Sequence, residues 1–543
     1  MWQQQYLGVG GSLWESAAVV AVPIVLLFCL IGIQRMAAWK ATLCALAAGV
    51  LVARLAFGAP VPIILSSFLY GAAFGLFPVC WIVLPAIFLY RITVESGQFE
   101  IIKHSITRLT GDTRLQVLLI AFAFGAFLEG AAGFGTPVAI AGGMLAGLGI
   151  NRFQASSLCL MADTAPVAFG GIGIPVITLA GLTGLPLGPL SSSVGRISSL
   201  LSLLVPLYLT VMYAGWRKTW PIMPAIVAIS VAFAGVQFVV ADFIGPYLPS
   251  LLASLAAIVV LIVLLQFWQP GDAGLPTATE AATPSSHSAA AMLRAWSPYL
   301  LVVVFVLLWG IGPIQKQLDR ATVSFAVPWL HNQVMRMPPV VKEAAPSAAV
   351  FKLNWLSSAG TSVFIAAILG GLVAGLGVRE QWRVLCLTVR QLAISTLTIC
   401  SVLGFAFLMN YTGLIATLGL AFATTGWFYP FFSAFLGWLG VFITGSDTSS
   451  NALFGNLQVV AADKLGLNPL LTAGANAAAG VMGKMISLQS IAIVIAATGM
   501  PQSDESKLFR VTLRHSLVLT ALIGLIVMIY AHWLPQAVPA LPK

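Results

Sequence analysis

Apolar segments close to the roughly 20 residues that a helix needs to cross a bilayer recur along the whole chain, separated by short polar connections. This spacing predicts an all-α polytopic membrane protein. The plainest segments are 19–33, 41–52, 63–90, 200–216, 221–240, 251–267, 299–311, 362–378 and 511–533.

One apolar stretch, 125–138 (GAFLEGAAGFGTPV), departs from this pattern. Glu129 ends an apolar run at a depth where a charge costs at least ~2.5 kcal/mol, and the glycines after it weaken a helix. Thr136 followed by Pro137 is typical of an N-cap with proline at the first helical position. We therefore predict a re-entrant hairpin over 115–151, whose open tip lines a cavity in the protein.

The hairpin has a second copy about 315 residues later. The segment before the first hairpin carries Lys103 and Arg108, whereas its counterpart, 413–427, has no charge. Because basic residues stay on the cytoplasmic side, the two copies are predicted to be inverted, as in secondary transporters. The matching pairs are 96–97 with 412–413, 110–111 with 425–426, 125–127 with 440–442, 129–130 with 444–445, and 149–151 with 466–468.

The second hairpin is predicted over 430–465. Its tip is rich in hydroxyl groups, and Asn451 or Ser450 is expected to cap the returning helix. The whole chain is predicted to divide into a short polar N-terminus (1–16), an N-terminal transmembrane half (17–268), a flexible Ala-, Pro- and Ser-rich linker (269–293) and a C-terminal transmembrane half (294–543). Segment 314–356 mixes charges with aromatic residues and predicts interfacial helices.

Composition supports the membrane assignment and narrows the chemistry. With 59% hydrophobic and 8% charged residues, the chain cannot cover a soluble surface. The net charge is +10, and the lysines and arginines lie mostly between the spans. They therefore indicate membrane topology and not a nucleic-acid partner. The six cysteines are single, without CxxC, and predict neither a metal nor a disulfide; no cofactor is predicted.

Ionisable residues inside apolar segments are the candidates for function. Of sixteen acidic residues only Glu129, Asp163 and Asp447 lie there, and Lys484 is the clearest basic case. They fall in the two hairpins and in the two predicted broken spans that follow them. Half-helix N-termini and Lys484 would attract an anion. Burial disfavours the ionised carboxyl, so Glu129 or Asp447, or Asp163, would take up and release a proton.

The residues predicted to contact the substrate combine the lysine with hydroxyl, amide and glycine positions: Gly130, Thr136, Thr164, Ser446, Thr448, Ser449, Asn451 and Lys484. Structural roles are the alternative. Asp447 and Lys484 would then form an ion pair between the halves, Glu129 would clamp its hairpin without titrating, and Asp163 would satisfy backbone groups freed by Pro166. No Ser-His-Asp order, HExxH or nucleotide-binding glycine loop indicates an enzyme.

Five segments are distinctive: GAFLEGAAGFGTPVAI (125–140), TAPVAFG (164–170), RMPPVVKEA (336–344), FLGWLGVFITGSDTSSNALF (435–454) and GKMISLQSIAI (483–493). In these segments the sequence resembles the lactate permease family of bacterial proton-linked transporters, and the likeness runs from Trp2 to the C-terminal span. The resemblance implies paired hairpins, inverted repeats and the import of L-lactate, D-lactate or glycolate with a proton across the inner membrane. Three positions depart from the family pattern, which usually has Asn at Asp163, Pro at Leu488 and often Ala at Thr136.

Two other functions stay open. A sodium-coupled or dicarboxylate carrier is possible because hydroxyl-rich tips and unwound carbonyls also suit Na⁺. A membrane sensor that binds the acid without moving it belongs to a different class. The expected partners are the small carboxylate, a proton and the lipid bilayer, with no nucleic acid.

Overall fold

The computed structural model describes residues 1–107, 109–133, 135–271 and 288–541. Within them, ten helical segments are long and apolar enough to cross a membrane, or up to twelve if each of two bent helix pairs counts as one span. The predicted polytopic, predominantly α-helical architecture is confirmed, with broken and re-entrant helices among the spans.

The N-terminal half is helical nearly throughout. Wider π-helical turns at Gly75–Cys80 and Val117–Phe124 join neighbouring helices. The helices are α1 (Leu13–Gly32), α2 (Ala38–Leu55), α3 (Val61–Phe74), α4 (Trp81–Glu95), α5 (Gln98–Thr107), α6 (Thr113–Gln116), α7 (Gly125–Ala131), α8 (Thr136–Gly147), α9 (Arg152–Ala162), α10 (Gly170–Thr183), α11 (Leu187–Thr219), α12 (Met223–Phe243) and α13 (Pro249–Phe267).

The C-terminal half follows the same scheme after one extramembrane segment. Its helices are α14 (Ala289–Gly310), α15 (Gly312–Leu318), α16 (Ala359–Ala374), α17 (Val378–Tyr411), α18 (Leu414–Ala423), α19 (Tyr429–Thr444), α20 (Asp447–Leu465), α21 (Pro469–Lys484), α22 (Leu488–Thr498) and α23 (Glu505–His532).

The order of helices from α3 to α11 recurs from α17 to α23. In each series a long helical span is followed by a short helix, a hairpin, a bent pair and another long helix. The hairpins are α7–α8 and α19–α20. The bent pairs are α9–α10, which bends by 60°, and α21–α22, which bends by 40°. This order supports the predicted repeat of one structural unit.

Residues that flank the two hairpins contact the chain near opposite ends of α23. Arg152, which follows the first hairpin, donates from Nη1 to the carbonyl oxygen of Gly499, before α23 begins, at 2.7 Å. The carbonyl oxygen of Trp427, which precedes the second hairpin, lies 3.0 Å from Nε2 of His532, the last residue of α23. A helix of 28 residues is about 42 Å long. These contacts support the inverted orientation, which remains a prediction.

Each bent pair covers the hairpin of the other copy. Helix α10 packs against α20, and α22 packs against α8. Small residues allow the close approach: a Cβ on Gly455 would lie 2.3 Å from Cδ1 of Leu179, and a Cβ on Gly142 would lie 3.1 Å from Cγ2 of Thr498. The two predicted copies are therefore interlocked, because each bent pair also packs against the hairpin of the other predicted copy.

The prediction of interfacial helices over 314–356 was largely wrong. Apart from α15 and one further helical turn, the segment forms the strands β2 (Val323–Ala326), β3 (Val334–Arg336), β4 (Ala345–Pro346) and β5 (Val350–Leu353). Strands β2 and β5 pair antiparallel, and β1 (Trp2–Gln3) pairs in parallel with β3. Valine and phenylalanine favour strands here, but each strand needs a distant partner that one local stretch does not reveal.

Two helices begin inside ranges that were predicted to lie outside the transmembrane halves. Helix α1 begins at Leu13, within the predicted polar N-terminus 1–16, and Ser12 accepts the backbone N–H of Glu15. Helix α14 begins at Ala289, inside the range assigned to the linker. Most of that range, 272–287, lies outside the described residues. The division into two halves stays a prediction.

Candidate functional site

The first hairpin places Glu129 in the last turn of α7, where its side chain is buried. The chain then turns through Gly133 and Gly135, whose φ angles of +63° and +82° suit glycine. Helix α8 begins at Thr136, and Gly135 is the N-cap without a side-chain bond. The prediction that Thr136 is the N-cap was wrong, because the left-handed glycine lets the helix start one residue earlier.

Asp163 lies at the break of the first bent pair. Helix α9 ends one residue before it, and the chain resumes in α10 through Gly171, Ile172 and Gly173, which all have positive φ. The Asp163 side chain is buried, with 5% of the residue exposed. The backbone break thus holds a carboxylate in the interior of the protein.

Lys484, the last residue of α21, joins these two carboxylates. Its Nζ lies 2.9 Å from Oε1 of Glu129 and 3.2 Å from Oδ2 of Asp163. Three broken elements, two from the first copy and one from the second, therefore meet in one buried charged cluster. The alternative in which Lys484 pairs with Asp447 was wrong, since its ion pairs are with Glu129 and Asp163.

The charges in this cluster do not balance if every carboxyl is ionised. One lysine faces two carboxylates, and Asp447 is a third buried acid in the neighbouring hairpin. Among the described residues, Oε2 of Glu129, Oδ1 of Asp163 and Oδ1 of Asp447 have no hydrogen-bond partner. An uncompensated buried charge is strongly unfavourable, so the arrangement favours protonation of at least one of these acids.

A glycine of a bent pair faces a hairpin carboxylate in each copy. A Cβ on Gly170 would lie 2.4 Å from Oε1 of Glu129, and a Cβ on Gly480 would lie 2.4 Å from Oδ1 of Asp447. Either methyl group would overlap the oxygen. Glu129 and Asp447 do not align in the sequence repeat, yet each occupies a space that a glycine leaves free.

The second hairpin begins its return with a different cap from the one predicted. Ser446 is the N-cap of α20, and its hydroxyl accepts the backbone N–H of Ser449 at 3.3 Å. The prediction of Asn451 or Ser450 was wrong, because Gly445, with φ of +71°, ends α19 and allows α20 to start at Asp447. A run of hydroxyl residues offers several possible caps, and the left-handed glycine selects among them.

Asn451 instead connects the second hairpin to both bent pairs. Its Nδ2 lies 3.3 Å from Oδ2 of Asp447 and 3.2 Å from the carbonyl oxygen of Pro175. Its Oδ1 accepts a hydrogen bond of 2.8 Å from Asn476, whose own oxygen accepts from Gln458 at 3.1 Å. The sequence analysis did not identify Gln458. Its position could have indicated a role, because this amide lies at helical spacing from Asp447 and Asn451 on one apolar helix.

The other predicted contact residues are divided between packing and the hairpin tips. A Cβ on Gly130 would lie 2.8 Å from the backbone N of Leu251, so this glycine serves helix packing. Thr164 donates its hydroxyl to the carbonyl oxygen of Met161 at 2.6 Å. Thr136, Thr448 and Ser449 are half-buried in the first turns of the returning helices. The structure does not bring Gly130 into the charged cluster.

The charged cluster lies within the part of the chain that matches a known protein family. The family model described as L-lactate permease matches residues 16–534. The chain belongs to the L-lactate permease family. This confirms the resemblance seen in the hairpin and bent-pair segments.

Relatives within the L-lactate permease family align over nearly the full chain. The L-lactate permease of Bacillus subtilis (strain 168) is 42% identical over 99% of this chain and 100% of its own length. The glycolate permease GlcA of Escherichia coli (strain K12) is 42% identical over 98% of both chains. Among solved structures, MtrF of Neisseria gonorrhoeae is 13% identical over 89% of this chain and 86% of its own, with a TM-score of 0.48, a likeness too loose to bear on function.

Proposed function

We propose that the protein imports small 2-hydroxy monocarboxylates, namely L-lactate, D-lactate or glycolate, together with a proton across a bacterial inner membrane. The relatives that support this proposal are named lactate and glycolate permeases and cover nearly the whole chain. The multi-pass helical architecture fits a transporter. Transport by alternating access would use the two interlocked repeats, with the substrate bound between them.

The observation that carries the proposal is the pairing of Lys484 with two carboxylates from the other copy. A substrate carboxylate entering the cluster would compete with Glu129 and Asp163 for the ammonium group. A carboxylate that loses this partner in a low-dielectric site favours its protonated form. Binding of the anion would thus be accompanied by uptake of a proton, and both would leave together when Lys484 regains its internal partner.

The hairpin tips would recognise the 2-hydroxyl group. Thr136, Ser446, Thr448 and Ser449 are the hydroxyl residues in the first turns or at the cap of the two returning helices. A hydroxyl group both donates and accepts, so it suits a substrate that carries a hydroxyl beside its carboxylate. Asp447, with one free oxygen at the second tip, is a third candidate for the transported proton.

The proposal is tested by uptake into proteoliposomes that contain the purified protein. We expect a pH gradient to drive accumulation of glycolate, L-lactate or D-lactate at fixed sodium, with succinate excluded. Uptake that requires sodium at fixed pH, or that prefers succinate, would instead support the sodium-coupled or dicarboxylate carrier. Stoichiometric capture without trans-stimulation would identify a sensor.

Replacing Glu129 separates exchange from accumulation. We expect Glu129→Gln to keep some exchange of labelled for unlabelled substrate but to lose accumulation driven by a pH gradient, because the glutamine cannot carry the proton. Glu100→Gln is the matched control, since Glu100 is exposed and forms a surface ion pair with Lys103. Unchanged proton-driven accumulation in Glu129→Gln would remove Glu129 from this role.

A further inference from the structure

A cavity of about 420 Å³ lies between α4 and α17 and reaches Thr136 at the tip of the first hairpin. Its lining extends from Glu95, at the end of α4, to Gln489 in α22. The charged and polar residues of this lining include Arg91, Glu95, Gln391, Ser395, Thr136 and Gln489.

The inner end of the cavity lies where both hairpin tips meet α22. Thr136 is the first residue of α8, and Gln489 is in the first turn of α22. A Cβ on Gly445, at the second tip, would lie 2.7 Å from Oε1 of Gln489. A Cβ on Gly135, at the first tip, would lie 2.7 Å from Cδ1 of Ile493 in α22. The cavity therefore ends at the broken span that also contains Lys484.

The outer end of the cavity lies at a basic face of the protein. Glu95, in the last turn of α4, forms an ion pair of 3.3 Å with Arg383, whose side chain is 66% exposed. Arg383 belongs to the first part of α17, which also carries the exposed Arg379 and Arg390. By the positive-inside rule this face is the cytoplasmic one.

The charges at the mouth favour an anion. The acidic Glu95 is paired with Arg383, whereas Arg91 donates a hydrogen bond to the neutral amide oxygen of Gln391. A guanidinium group binds a carboxylate with two parallel hydrogen bonds, and a neutral amide is a weaker competitor than a carboxylate. Arg91 thus keeps a full positive charge beside the opening of a polar cavity.

We infer that this cavity is the cytoplasmic passage of the carboxylate substrate and that Arg91 holds the anion at its mouth before it reaches Lys484. The inference rests on the proposed transport function for the nature of the ligand. A charged residue at the neck of a confined passage raises the local concentration of the oppositely charged solute. Arg91 is therefore a binding residue outside the Glu129–Asp163–Lys484 cluster.

Thiol labelling tests the passage without relying on transport. Ser395→Cys is introduced into the full chain after its six native cysteines are replaced by serine, and inside-out membrane vesicles expose the cytoplasmic face. We expect a negatively charged methanethiosulfonate to react faster than a positively charged one of similar size. Adding Arg91→Gln should lower this rate ratio about 3- to 10-fold, a change at or below the lower limit of electrostatic focusing because only one charge is removed. Excess L-lactate should slow the labelling.

Matched variants identify the source of the effect. Arg379→Gln removes a charge from the same face but lies outside the cavity lining, so it should leave the ratio nearly unchanged. Arg383→Gln should lower the rate ratio because Glu95 then loses its ionic partner. Arg91→Lys should keep most of the rate ratio that Arg91→Gln loses, because lysine retains the positive charge. An introduced thiol at position 395 that is inaccessible from the cytoplasmic face, or a ratio independent of Arg91, would overturn the inference.

Substrate kinetics separate this inference from the proposed function. If the inference holds, Arg91→Gln raises the KM for cytoplasmic L-lactate in exchange assays several-fold and weakens its salt dependence, with a smaller change in kcat. If the unmodified protein fails to move any hydroxy acid while the Arg91-dependent labelling persists, the proposed function fails and an anion-selective passage stands. Normal transport with a KM that is unaffected by Arg91→Gln would refute the role of Arg91 alone.

Discussion

Lys484→Met should be among the most destabilising single substitutions in the protein. The lysine contacts Glu129 at 2.9 Å and Asp163 at 3.2 Å, and the side chains of all three are at least nine-tenths buried. At an effective dielectric constant of about 20, Coulomb's law gives roughly 6 and roughly 5 kcal/mol of gross attraction for the two pairs. Desolvation and the mutual repulsion of the carboxylates cancel much of this attraction.

The net effect follows from what the substitution leaves behind. Removing one partner of a buried pair costs about 3–5 kcal/mol, because the remaining charge has no compensation. In Lys484→Met two carboxyls lose their cation, so both are expected to take up protons. Replacing the whole group, as Lys484→Met with Glu129→Gln and Asp163→Asn, leaves no buried charge and should recover most of the lost stability.

Denaturant unfolding of the purified protein in detergent measures this difference. We expect Lys484→Met to be destabilised most at high pH, because keeping the two buried carboxyls protonated is least favourable there. The stability of the triple variant should depend little on pH. Neither variant should transport, because both lack the cation for the substrate. A single variant as stable as the unmodified protein, or a triple variant no more stable than the single one, would refute the charge balance described for this cluster.

Three further predictions concern the surroundings of the cluster. Gly170→Ala and Gly480→Ala should each abolish most uptake, because the added methyl group would lie 2.4 Å from a carboxylate oxygen. Gly235→Ala is the control and should be tolerated, because a Cβ at Gly235 meets open space. Equal uptake by all three variants would contradict the prediction. Asn451→Ala should cost about 1–3 kcal/mol in denaturant unfolding, since it leaves buried polar groups unsatisfied, and an unchanged midpoint would argue against the network. Asp163→Asn should retain proton-driven uptake, because Lys484 keeps Glu129 as an ionic partner. A loss of accumulation as severe as that in Glu129→Gln would show that one ionic partner is not sufficient.

Much of the transmembrane architecture follows from the sequence because few backbone structures are stable in a lipid bilayer. Apolar length predicts the spans, and a carboxylate within such a run, as at Glu129, predicts a protein-lined interior. The glycines around 133 and the hydroxyl-rich run at 444–451 correctly indicate where each hairpin turns. The sequence predicted that Glu129, Asp163 and Lys484 lie in the same region, but not that they form ion pairs. No local pattern shows which of several buried acids a lysine will contact.

Other features depend on contacts that sequence separation conceals. The helix caps at Gly135 and Ser446 differ from the predicted ones because a left-handed glycine sets the helix start, and neighbouring hydroxyl residues look equivalent in the sequence. The strands Val323–Ala326 and Val350–Leu353 each require the other as a partner. The cavity that ends at Gln489 requires the positions of helices from both halves, so its lining could not be read from any one motif.

The contact between Lys484 and Glu129 spans 355 positions of the chain, which has a consequence for biosynthesis. Glu129 and Asp163 enter the membrane long before the ribosome has made the residue that neutralises them. Until Lys484 is made, both acids lack the cation that pairs with them in the folded protein. Truncated chains that end before Lys484 should consequently be recognised as unfinished and degraded, whereas chains that extend past it acquire the internal counter-ion and mature.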